Sequence, residues 1–121
     1  LLVGIGGFLG AISRYGISLW LRPIDWLNLY WGTLTVNLLG TLLLGALLGF
    51  ADATLPKDHW TIRLLGIGFC GSFTTFSTFA GELFTSTQDG RWAQAMLYLG
   101  ISLITGVLLF ALGWWLGGQL R

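Results

Sequence analysis

From Gly66 to Phe79 the chain reads Gly-Ile-Gly-Phe-Cys-Gly-Ser-Phe-Thr-Thr-Phe-Ser-Thr-Phe, without a charge and inside a long apolar segment. Glycine, hydroxyls and spaced phenylalanines stand where a lipid-spanning helix carries leucine. Irregular backbone at membrane depth is tolerated only where protein or a water-filled path supplies hydrogen-bond partners, and glycine makes the departure sterically easy. The stretch predicts a broken helix built around a small polar solute or ion. Unwound carbonyls near Gly71 and Thr74 are oxygen ligands suited to a hard cation, and two such breaks meeting at a dimer axis double their number. Phe76 and Phe79, three apart, share a helix face. A phenyl ring has a positive edge, so the pair offers weak attraction to a small anion in a dry passage; core packing is the plainer role. Ser77 and Thr78 add hydroxyl donors between them.

Further polar side chains lie within apolar segments, where they mark either a solute's path or a buried interhelical bond. Thr33, Asn37 and Thr41 recur every four residues and form one stripe on a helix. The Asn37 amide donates two hydrogen bonds, which suits an anion stripped of water and equally a bond tying two helices together. Tyr98, Ser102 and Thr105 share a face at spacings of four and three, although a hydroxyl can also bond a carbonyl of its own helix. Arg14 lies near the middle of the first apolar segment. It either attracts anions to a route beside it or bonds carbonyls freed at the break. Glu82 directly follows the uncharged part of the third segment, as a pore-mouth charge or a solvated carboxylate at a helix end.

The elements that must position these residues follow from the distribution of charge. Leu1–Leu21 carries only Arg14, while Trp31–Ala51, Leu64–Gly81 and Trp92–Leu120 carry no charge. About 20 apolar residues cross a hydrocarbon core of ~30 Å. The chain therefore reads as an all-α membrane protein with four transmembrane helices, approximately 1–21, 31–51, 61–84 and 92–120, forming one transmembrane domain over 1–121. Its 55% hydrophobic and 9% charged residues leave no supply for a soluble domain. Trp20, Trp26, Trp31, Trp60, Trp92, Trp114 and Trp115 gather near the span ends, as interface anchors do. A net charge of +1 points to neither nucleic acid nor an anionic surface. Cys70 stands alone, which excludes an internal disulfide or a multi-cysteine metal site and reads as a small buried apolar residue. The first span is too long for a signal-peptide core, and a start at Leu1 without methionine suggests that native residues precede it.

With four spans, Lys57, Arg63 and Arg121 share one side and Arg22 and Arg91 the other. That is almost no bias by the positive-inside rule. Either residues ahead of Leu1 set the orientation, or the protein inserts both ways and assembles as an antiparallel homodimer. Gly6 with Gly10, and Gly45 with Gly49, have the spacing that lets helices approach closely in lipid. They serve a tight homodimer, since four short helices barely surround a hydrated path, or close packing within one subunit.

Residues 68–79, Gly-Phe-Cys-Gly-Ser-Phe-Thr-Thr-Phe-Ser-Thr-Phe, closely resemble the signature of the Fluc (CrcB) fluoride channels. Residues 7–15, Gly-Phe-Leu-Gly-Ala-Ile-Ser-Arg-Tyr, are similar to that family's first-span motif, and residues 32–40, Gly-Thr-Leu-Thr-Val-Asn-Leu-Leu-Gly, to its second. The resemblance covers essentially the whole chain. It implies a dual-topology homodimer with two antiparallel fluoride pores and a structural Na⁺ at the dimer interface, held through backbone carbonyls that map to Gly71 and Thr74. The pore phenylalanines map to Phe76 and Phe79, the pore asparagine to Asn37, and the hydroxyl track to Ser77, Thr78 and Ser102. Arg14 and Glu82 match a first-span arginine and an acidic residue after the third motif. Gly106 stands where some relatives carry a further hydroxyl, a departure at the far end of the track.

The expected function is passive, fluoride-selective export across a bacterial inner membrane by a multi-pass channel, with fluoride, membrane lipid and a second copy as partners. Fluoride is small and strongly hydrated, so close neutral donors must replace its water without binding it too tightly. The rival readings are a small proton-coupled multidrug exporter and a fluoride/proton antiporter. Both call for a titratable group embedded in the membrane, and the first, second and fourth spans contain no Asp or Glu in their apolar cores. An enzyme is not expected, because His59 is the only histidine and lies in a loop.

Overall fold

The computed structural model describes residues 1–121, all helix and connecting turns. The elements are α1, Leu2–Leu21; a short turn, Trp26–Asn28; α2, Trp31–Ala51; a π-helical stretch, Ile62–Cys70, running into the one-turn α3, Gly71–Phe73; α4, Phe76–Gln88; and α5, Trp92–Gln119. Four helical segments are long and apolar enough to cross a membrane: Leu2–Leu21, Trp31–Ala51, Ile62–Gln88 and Trp92–Gln119.

The first, second and fourth match the expected spans to within a residue. The third runs four residues past the expected end at 84. In its last turns, Glu-Leu-Phe-Thr-Ser-Thr-Gln, the two threonines are satisfied within the helix. Thr85 Oγ1 donates to the Gly81 carbonyl and Thr87 Oγ1 to that of Phe84. The π-helical start is a further departure from regular periodicity. There the backbone widens by one residue per turn, and the Gly71 N–H reaches the Gly66 carbonyl five residues back.

Two same-direction helix pairs build the bundle. Gly6 lies against the Leu64 carbonyl and Gly10 against that of Phe69, so α1 and the π-helical stretch run side by side. Gly45 and Gly49 meet the carbonyls of Phe110 and Trp114, while Gly113 and Gly117 meet those of Leu42 and Ala46. Numbers rise together in both sets, so α2 and α5 are parallel. No Cβ fits at these six positions without moving backbone. Close packing within one chain thus accounts for both glycine pairs singled out in the sequence.

The connection from α1 to α2 is an ordered strap. Leu27 (φ 57°) and Asn28 (φ 50°) adopt left-handed backbone, which Asn tolerates and Leu adopts only under strain. What holds the strap down is packing at both ends. Trp26 and Trp31 stack with centroids 5.6 Å apart while Trp31 Nε1 donates to the Trp26 carbonyl at 2.9 Å. Leu29 is buried with Leu34, Phe79 and Tyr98 in the small apolar core.

Candidate functional site

At Thr74 and Thr75 the backbone is extended (φ −85°, ψ 159° and φ −149°, ψ 121°), between α3 and α4. Glycine-rich sequence before this point and the Thr75 cap after it make the change of conformation affordable. Thr75 Oγ1 accepts from the Thr78 N–H at 3.2 Å, capping α4. Its peptide group is claimed by α2: Asn37 Nδ2 donates to the Thr75 carbonyl at 3.0 Å, and the Thr75 N–H donates to Asn37 Oδ1 at 2.7 Å. Asn37 therefore satisfies both polar groups that the extended residue withdraws from the helical ladder. One of its two amide N–H bonds remains for another acceptor. Thr41 Oγ1, the next member of the stripe, turns back to the Asn37 carbonyl at 2.5 Å.

Arg14 reaches the same region from α1, its Nε donating to the Ser72 carbonyl at 3.0 Å. The carbonyls of Gly71 and Thr74 are not acceptors in any of the turn, cap or side-chain hydrogen bonds around them. They are of the chemical type that fits a hard cation such as Na⁺.

Below Asn37, Asn37, Thr41, Phe76, Phe79 and Ser102 line a cavity of about 290 Å³. Phe76 and Phe79 have ring centroids 6.2 Å apart and planes tilted by 51°. Phe79 is buried, but Phe76 is 80% exposed on the isolated chain. Ser102 Oγ projects from α5 as the one buried side-chain polar atom without any hydrogen-bond partner.

Phe79 leads onward to Tyr98, at a centroid distance of 5.1 Å. Tyr98 Oη donates to Glu82 Oε2 at 2.7 Å, and Thr33 Oγ1 donates to Glu82 Oε1 at 2.6 Å. Glu82 is thus half-buried within α4, both oxygens occupied, rather than the solvated helix-end carboxylate that one sequence reading expected. Thr33 and Tyr98 come from other helices, and only the fold brings the three together. Ser77 and Thr78 are exposed at the start of α4, on hydroxyl contacts of 3.4 and 3.1 Å with Thr75.

Two residues that sequence reasoning passed over complete the arrangement. Thr75 ties the extended step to Asn37, as described. The Tyr30 ring packs tilted against Tyr98, centroids 5.5 Å apart, and its hydroxyl lies 3.2 Å from Ser86 Oγ. In the sequence Tyr30 looks like one more aromatic at a span end, and Thr75 like one more hydroxyl; neither has a local signal.

Residues 1–114 match the family model described as CrcB-like protein, Camphor Resistance (CrcB). The chain belongs to the CrcB-like family. Curated relatives agree over nearly full length. A Chlorobium chlorochromatii protein called fluoride-specific ion channel FluC is 45% identical across 93% of this chain and 87% of its own. Fluoride-specific ion channel FluC 1 of Geobacillus kaustophilus is 44% identical, covering 97% of this chain and 96% of the relative. FluC 2 of Moorella thermoacetica is 42% identical over 99% and 97% respectively. This CrcB-like protein is a multi-pass integral membrane protein, and Asn37, Thr33, Glu82, Tyr98 and Ser102 are polar groups that its membrane-length helices bring to the inside of the chain.

Proposed function

We propose that this CrcB-like protein is a fluoride-selective channel, not an enzyme, and that it releases fluoride passively down its electrochemical gradient across a bacterial inner membrane. The observation that carries the reading is Ser102 Oγ, a buried hydroxyl left without a partner beside Phe76 and Phe79. A buried unsatisfied hydroxyl normally destabilises a fold; as an anion's donor it acquires a purpose. The fluoride-channel relatives supply the identity of the ion.

The path runs from Asn37 and Ser102 past the edges of Phe76 and Phe79 to Tyr98, with Ser77 and Thr78 offering hydroxyls at the start of α4. Neutral donors hold fluoride closely enough to replace its water while letting it leave. The working unit is an antiparallel, dual-topology homodimer whose helix breaks at Thr74 and Thr75 meet. The exposed ring of Phe76 favours this, since a second copy would cover it beside the buried Phe79. In such a dimer the Gly71 and Thr74 carbonyls of both copies would hold one Na⁺, which clamps the breaks and adds positive charge between the pores. Arg14 contributes by fixing the Ser72 carbonyl, and Glu82 sets the electrostatics of the vestibule.

A fluoride/proton antiporter is the second reading, favoured by one observation: the half-buried Glu82 carboxylate bonded by Thr33 and Tyr98. A pH gradient that drives fluoride uphill in liposomes would support it over the channel. Ser102→Ala provides the sharper test of the pathway. Because the hydroxyl has no protein partner, the variant should keep its thermal stability while its fluoride efflux falls by about fivefold, the equivalent of a lost hydrogen bond of ~1 kcal/mol. Unchanged efflux would remove Ser102 from the path.

A further inference from the structure

Beyond Glu82 the bundle opens into a cavity of about 430 Å³ between the first strap, α2 and α4. At ~30 Å³ per water, it holds an ion with much of its hydration shell. Thr33, Thr78 and Glu82 form part of its wall, together with the charged side chains of Arg22, Asp25 and Arg91. Arg22 and Arg91 balance Asp25 and Glu82 in formal charge, so an approaching anion is drawn by whichever guanidinium keeps donors free, not by a net positive wall. Arg91 is the less exposed of the two and is held in place. Its Nη2 contacts both Asp89 Oδ2 at 3.1 Å and the Tyr30 hydroxyl at 3.5 Å, leaving Nη1 and Nε without a protein partner. Tyr30, held by Ser86, steadies this arrangement, and its ring packs against Tyr98 where the inner hydroxyls begin.

We propose that this cavity is an anion-recruiting mouth, in which the Arg91 guanidinium draws hydrated fluoride from bulk water toward Thr33, Thr78 and Tyr98. The inference rests on the fluoride-pathway reading. Guanidinium donors suit anions, and a charged mouth with low-dielectric walls raises local ion concentration and entry rate by tenfold or more at low salt. Asp89 opposes this by occupying one face of the guanidinium. The two residues should therefore act with opposite sign.

The test measures fluoride efflux from neutral-lipid liposomes at about 0.01 M and about 1 M sodium gluconate, where the screening length falls from ~30 Å to ~3 Å. Arg91→Gln should reduce efflux by about three- to tenfold at low salt and by less than about twofold at high salt. Arg91→Lys should restore most of the loss, and Asp89→Asn should raise low-salt efflux above wild type. A loss in Arg91→Gln that is equal at both salts marks a structural role and overturns the inference while leaving the channel reading intact. Wild-type protein that passes no fluoride overturns both.

Discussion

Phe76→Ile and Phe79→Ile should each slow fluoride efflux by about three- to tenfold, with the oligomer intact by size-exclusion chromatography. Isoleucine keeps an apolar side chain but lacks the ring's positive edge. Aromatic pairs governed by the same ring quadrupole are worth about 0.5–1.5 kcal/mol beyond area burial; a loss of that size at the ring edge would be felt on the barrier, where 1.36 kcal/mol is tenfold in rate. The two positions separate packing from pathway. Phe79 is buried against Tyr98 and Phe76, so its replacement by the smaller isoleucine also removes two ring contacts and loosens the small core. Phe76 is 80% exposed on the single chain, so its replacement disturbs little within the fold. A flux defect at Phe76 without loss of stability would therefore identify the ring as part of the path. Unchanged flux in both variants would leave the pair as packing alone.

Asn37→Ala should have the largest combined effect, on stability as well as on flux. The Asn37 side chain both donates to and accepts from the Thr75 peptide group, at 3.0 and 2.7 Å. Truncation orphans the Thr75 N–H and carbonyl together. An unsatisfied buried polar group costs about 1–3 kcal/mol, and in the membrane no bulk water compensates. The extended step at Thr74 and Thr75 then loses the contact that fixes it against α2. We expect a lower melting temperature in detergent and efflux reduced more than in either phenylalanine variant. A melting temperature equal to wild type would show that the pair contributes no net stability.

The contrast between Asn37 and Glu82 shows what a sequence of this kind discloses. The four spans were legible because uncharged segments of membrane length need no tertiary information. The glycine pairs were legible as close approaches, but not their partners: Gly45 and Gly49 meet backbone of Phe110 and Trp114 more than sixty residues away. Asn37 stood out as a polar group in an apolar helix, with both a solute and an interhelical bond as open roles. The structure places it in an interhelical bond and leaves it one free donor. Glu82 looked like the end of a span because charge ordinarily marks where a helix leaves the membrane. Thr33, 49 positions earlier, and Tyr98, 16 positions later, supply hydroxyls that allow the carboxylate to lie within the helix. Such long-range satisfaction has no periodic signature. The π-helical stretch Ile62–Cys70 has no periodic signature either, and within it Gly68 lies against the backbone of α1 at Val3 and Gly6.

Fluoride and chloride efflux from liposomes containing the purified protein, each followed with an ion-selective electrode after potassium is made permeable, tests the assignment most directly. A passive fluoride-selective channel should release fluoride without a pH gradient and retain chloride for the duration of the trace. Equal release of the two ions, or fluoride release that appears only when a proton gradient is imposed, would contradict it.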